Sequence, residues 1–169
     1  MEFFLVLVAL AGAGVVYFAR RADHATLAAE PDPVQATRAL GLGAWSGQDP
    51  IAEISDSRLA IAAAALAFLQ LQDSPPGDCH ARIAPHLSRC LDLDPAPALQ
   101  ALLIGDWLVA QCDSPDTALS QLTWRLYALE GAASLPPLFR VLRGSLSGNL
   151  LSVRQRDALE TVSQIYDPG

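Results

Sequence analysis

The side chains able to do soft-metal or thiol chemistry are few: Cys79, Cys90, Cys112 and three histidines, His24, His80 and His86. On a helical register Cys79, His86 and Cys90 share one face, and Cys112 could bring a fourth soft ligand to a zinc-like site. Structural zinc usually comes with close pairs such as Cys-x2-Cys, which are absent here, and Pro85 disturbs the register between the three. The expected role of the cysteines is therefore that of small, reduced, buried hydrophobes, and no metal or other cofactor is expected. A nucleophilic pair such as Cys79 with His86 would need a third group to orient it, and no sequence signal supplies one. There is no Gly-x-Ser-x-Gly elbow, no Gly-rich phosphate loop and no His-Glu-x-x-His helix. All eleven basic residues are Arg, so Schiff-base chemistry and a phosphate-loop lysine are excluded outright.

Two further positions stand out because their polarity conflicts with their surroundings. Asp106 falls on a helical wheel among Leu99, Leu102, Leu103, Val109 and Ala110. An isolated carboxylate is costly to bury, so it must find a partner, become protonated or face a cleft. An internal ion pair with Arg125 or Arg140 is the expected solution, and contact with a binding partner the second. Trp124, with Tyr127 at its flank, projects away from the stripe Leu119, Leu122, Leu126 and Leu129. Either a neighbouring helix covers the aromatic pair, which a six-helix body makes the expected arrangement, or a partner protein does.

The elements that must position these residues follow from length and composition. At 169 residues, with 51% hydrophobic and 17% charged residues, the chain has material for one ordered domain and little more. A net charge of −7 argues against nucleic-acid binding, which needs a basic face to displace counterions from phosphate. Residues 3–19 are all apolar, Gly or Tyr, and Arg20-Arg21 follows them. A helix of that length spans about 25 Å, which with its flanks is enough for one short membrane crossing. Residues 1–22 are thus read as a single transmembrane anchor in the bilayer, with Phe3, Phe4, Leu5, Leu7, Leu10, Val15, Val16 and Phe18 facing lipid. A cleavable signal would carry its positive charge before the apolar run, where only Glu2 stands. Arg20 and Arg21 keep their side cytoplasmic, placing the N-terminus outside the inner membrane and the C-terminal domain in the cytoplasm.

Residues 23–54, punctuated by Pro31, Pro33, Gly41, Gly43, Gly47 and Pro50, read as a tether with room for one short helix from Pro33 to Leu40 opened by Asp32. Its Leu40, Leu42 and Trp45 are expected to dock on the body, the headgroup level of the bilayer being the alternative. From residue 55 to 169 the punctuation is helical. Ser55 or Asp56 caps an uninterrupted apolar helix over 59–69. Pro75-Pro76-Gly77-Asp78 then starts a second helix, which Pro85 should kink or open. Asp94-Pro95 and Ser114-Pro115-Asp116 start two more, and Gly131 ends the latter in a left-handed conformation. Ser134 opens a short helix, and Ser152-Val153-Arg154-Gln155 is a capping box before the stripe Ala158, Leu159, Val162, Ile165 and Tyr166. The fold class is all-α: an anchor followed by a compact bundle of about six helices.

An N-terminal span, a tether and an all-α body closing on Leu151-Ser152 before an amphipathic last helix resembles the TerB-like domains of tellurite resistance and of membrane-anchored DnaJ-type co-chaperones. The resemblance covers about residues 55–166. It implies an Ala-Asp-Gly turn followed by Glu after an early helix and again before the last one, with these acids associated with metal. Here the first turn reads Gln72-Asp73-Ser74 with Cys79 at the Glu position. The second reads Gly148-Asn149 with Gln155 in place of Glu. Only Asp73 survives, too few oxygens for a hard cation, and no His-Pro-Asp tripeptide exists for a J domain. The functional expectation is a non-catalytic, membrane-anchored adaptor or accessory subunit of a membrane complex, contacting a membrane protein through Trp124, Tyr127 and Asp106. The alternative is a divergent metal-dependent sensor or enzyme using Asp73, Asp106 and the cysteines.

Overall fold

In a computed structural model of the chain, residues 49–73, 77–146 and 151–166 are described. The chain divides into two units, Met1–Ala39 and Leu40–Gly169, and every described residue belongs to the second. The expected anchor over 1–22, with Arg20 and Arg21, lies outside the described residues, as do Leu40, Leu42 and Trp45. Among the described residues no helix is long and apolar enough to cross a membrane.

The described body is all-helical: α1 (Ser57–Gln70), α2 (Cys79–Leu91), α3 (Pro95–Ala110), α4 (Pro115–Glu130), a 3-10 turn (Gly131–Ser134), α5 (Leu135–Ser145) and α6 (Val153–Tyr166). The organising element is α1. Asp56 caps it, its carboxylate accepting from the Arg58 N–H at 2.9 Å. Every residue from Leu59 to Leu69 is buried. Such a helix has no solvent face, so it must be enclosed, and α3 and α4 flank it most extensively, with α2 and α5 closing the remainder. Its six alanines keep the enclosure tight. At Gly105 of α3 a Cβ would stand 3.0 Å from the Ala63 Cα and 3.2 Å from its nitrogen, so only glycine permits this approach of the two backbones.

The other boundaries follow from caps. Asp78 accepts from the Ala81 N–H at 2.9 Å to open α2. Pro85 does not open the second half of α2, which continues to Leu91. The carbonyl of exposed Ala81, which the missing N–H of Pro85 would have satisfied, is left on a side open to water. Asp92 ends α2 in a left-handed conformation (φ 51°, ψ 47°), which the short polar side chain of Asp tolerates. Ser114 caps α4, accepting from Thr117 N–H at 3.1 Å, while Asp94 precedes α3 without a side-chain cap and leaves Pro95 to start it. Gly131 does end α4 at positive φ (60°), but its ψ of −148° lies outside the left-handed helical region. The chain there passes directly into the 3-10 turn instead of closing in a Schellman motif.

The end of the expected tether belongs to this core. Ile51 and Ile54 are buried, and the Arg125 Nε donates to the Ile54 carbonyl at 2.7 Å. The last helix returns to the first: its capping box is formed, with Gln155 N–H donating to Ser152 Oγ at 3.1 Å and Ser152 N–H to Gln155 Oε1 at 3.2 Å. The same two side chains then close the end of α1. Ser152 Oγ donates to the Leu71 carbonyl at 2.9 Å and Gln155 Nε2 to the Phe68 carbonyl at 3.1 Å, satisfying carbonyls a helix end leaves open.

Candidate functional site

Arg125 cannot be the partner of Asp106, because its guanidinium is committed to Ile54, and Arg140 turns back to its own helix at the Pro136 carbonyl. The partner is His80, whose Nε2 lies 2.5 Å from Asp106 Oδ2. The expectation of an Asp–Arg pair is corrected accordingly. It failed because a wheel shows which face a residue occupies but not which helix end meets that face. His80 stands in the first turn of α2, and α2 packs on α3. The imidazole is 14% exposed and the carboxylate 45%, so this acid rests at the rim of the apolar face and not within it. The hydrogen bond to Asp106 holds the His80 pKa above its ordinary value, with burial opposing and the Asp78 charge adding.

Beside this pair, burial pushes the Cys79 thiol up, and the charges of Asp106 and Asp78 add to it while Arg82 opposes. A thiol kept protonated is a poor nucleophile and a poor metal ligand. His86 does not join it: the imidazole lies over Gly144 of α5, where a Cβ would come within 2.3 Å of Nδ1. Cys112 is also pushed up by burial, with Asp49 and Asp113 adding, and its Sγ contacts Gln121 Oε1 at 3.5 Å. Asp73 is exposed beyond the end of α1. Among the described residues no three His, Cys, Asp or Glu side chains are grouped as metal ligands would be.

The aromatic pair on α4 is arranged differently from the expectation. Among the described residues no helix covers Trp124, which is 54% exposed, while Leu119, Leu122 and Leu126 take the buried side. α6 runs parallel to α4 beside it. An Arg154–Asp116 ion pair joins their N-terminal ends, and a Tyr127–Tyr166 contact joins their C-terminal ends, with centroids 5.3 Å apart and planes at 89°. Trp124 meets Tyr127 edge-on in turn, at 6.3 Å and 89°. Three rings therefore stand at successive right angles, Trp124 outermost and both tyrosines half-buried. Tyr166 is fixed by a 2.6 Å hydrogen bond between its hydroxyl and buried Ser134 Oγ, which also donates to the Gly131 carbonyl. Burial pushes the Tyr166 pKa up, the Ser134 bond opposes, and Glu130 and Tyr127 add. Tyr166 was legible only as a core-stripe residue of α6, and its place in this corner depends on the parallel pairing of two helices. Asp106 does not belong to the corner, since it sits with His80 on the α2–α3 side.

No family model matches the chain, and neither a curated protein nor a solved structure matches it.

Proposed function

We propose that the helical domain is a non-catalytic adaptor, or a small accessory subunit of a membrane protein complex, working through the face centred on Trp124 and Tyr127. Residues 1–22 would hold it at the cytoplasmic side of the inner membrane. The observation carrying this reading is a half-exposed tryptophan braced edge-on by Tyr127, which Tyr166 braces in turn, on a face that no described helix covers. Fixed aromatic side chains lose little entropy on binding and are typical anchors of protein interfaces. The polar groups that a catalyst would use are engaged elsewhere: His80 with Asp106, Cys112 with Gln121, and Cys79 held as a thiol. On the TerB-like resemblance, Gln155 stands where that family's second Glu would fall, and in this chain it joins the start of α6 to the end of α1.

The test is mild-detergent purification of the full chain from native membranes with its bound proteins, as wild type and as Trp124→Ala. Truncating an interface anchor typically costs about 2 kcal/mol, roughly thirtyfold in affinity. The variant should lose the partner with unchanged circular dichroism. Retention of the partner overturns the reading, and stoichiometric metal in the purified wild type favours a sensor instead.

A further inference from the structure

Resting on the reading that this face binds a protein, we propose that the corner of Trp124, Tyr127 and Tyr166 beside Glu130 receives a cationic side chain, Arg or Lys, from the partner. Aromatic faces carry negative potential, and a cation within about 6 Å of a ring centroid is attracted to it. Rings at successive right angles turn their faces along two directions, here with both interplanar angles 89°, and half-exposed Trp124 offers its face at the surface. Glu130 is exposed at the end of α4, and its charge is felt at the Tyr166 hydroxyl. Among the described residues the fold supplies no cation of its own to this corner. Arg125 is turned inward to Ile54 and Arg154 is paired with Asp116, and among the described residues no cation–π contact is made with these rings. A chain with no Lys and a net charge of −7 complements a basic partner segment in its long-range field as well. A lipid headgroup is the less suitable occupant: a choline nitrogen would bring its phosphate up against the Glu130 carboxylate.

The experiment follows the tryptophan indole N–H resonances of the full chain in neutral detergent. It is titrated with an acetylated, amidated Gly-Arg-Gly peptide, with citrulline and norleucine versions, and separately with phosphatidylcholine bicelles. The expected result is a saturable shift of the Trp124 resonance alone, at least tenfold weaker for citrulline, weaker in high salt, and reduced several-fold in Glu130→Gln. Equal binding of the norleucine peptide, a response to phosphatidylcholine but not to the Arg peptide, or no shift with any probe overturns the inference. The same variants separate it from the adaptor reading in the native-membrane purification. Release of the partner by Trp124→Ala but neither by Glu130→Gln nor by salt leaves the adaptor standing without a cation. Retention by Trp124→Ala removes the adaptor, whatever the peptide does.

Discussion

Gln155 closes the last turn of α1 through the Phe68 carbonyl, its Nε2 donating across 87 positions of sequence at 3.1 Å. The other end of the same amide accepts from Ser152 N–H, so both faces of a fully buried side chain are used. This explains why an amide stands there. Only a group that donates at one end and accepts at the other can serve two backbones at once.

Gln155→Glu should accordingly destabilise the domain by about 2 to 4 kcal/mol at neutral pH. The carboxylate can still accept from Ser152, but it sets an unpaired charge against the Phe68 carbonyl. Burial would raise the pKa of the new acid above its unfolded value near 4.3, so its penalty is present at neutral pH and shrinks as pH falls through the raised value. Urea melts at pH 7 and pH 5 test this. Equal stability of wild type and variant at pH 7 would show that the amide contributes nothing.

Gly105→Ala sets two effects in opposition. Alanine gains about 1 kcal/mol in helix propensity over glycine. Against it, the new methyl meets the Ala63 backbone at 3.0 to 3.2 Å, where no side-chain rotation can make room. Overpacking costs about 1 to 3 kcal/mol, so a net loss is expected. Gly77→Ala, with nothing within 4 Å of its Cβ, should be neutral or stabilising. A higher melting temperature for Gly105→Ala would mean that α1 and α3 separate easily.

These two sites mark how far the sequence is readable. Local devices were legible because they lie within a few residues: Ser152-x-x-Gln155, Ser114 before Pro115, and the unbroken apolar run of α1 that requires a central helix. What the box does for α1 was not, since nothing in either segment says that their ends meet. The same limit hid His80 as the partner of Asp106. It also hid the burial of Ile51 and Ile54, which sit in a stretch that Pro50 and Gly47 mark as irregular. Trp124 was correctly set opposite the core stripe, but its cover is decided by where α6 lies, and α6 lies beside it.

The His80–Asp106 pair predicts a pH dependence whose sign is fixed by the raised pKa of His80. A histidine with a folded pKa above its unfolded value, near 6.5, contributes stability that is complete below that value. The contribution is lost as pH rises through the folded pKa. Asp106→Asn should therefore melt below wild type at pH 5.5 to 6, with the difference closing as pH rises through the raised His80 pKa. With the carboxylate 45% exposed, water screens the pair, and about 1 kcal/mol is the expected size. A difference that grows with pH would place the stabilising charge elsewhere.

The anchor is tested independently of the domain. If residues 1–22 span the bilayer uncleaved, the protein resists extraction by carbonate, and the membrane-bound protein still contains residues 1–22. A reporter fused after Gly169 should be active only in the cytoplasm, since Arg20-Arg21 holds its side there. Deleting residues 1–22 should leave the helical body folded, because the buried residues run from Ile51 to Ile165 and α1, α2 and α4 are opened by their own caps. What the deletion removes is local concentration. A tethered domain meets a membrane partner at an effective concentration near millimolar, whereas the freed domain binds only at its intrinsic affinity. The truncated protein should thus keep its circular dichroism and bind the isolated partner normally, yet fail to co-purify from native membranes. Co-purification undiminished by the truncation would mean that the Trp124 face needs no anchor to find its target.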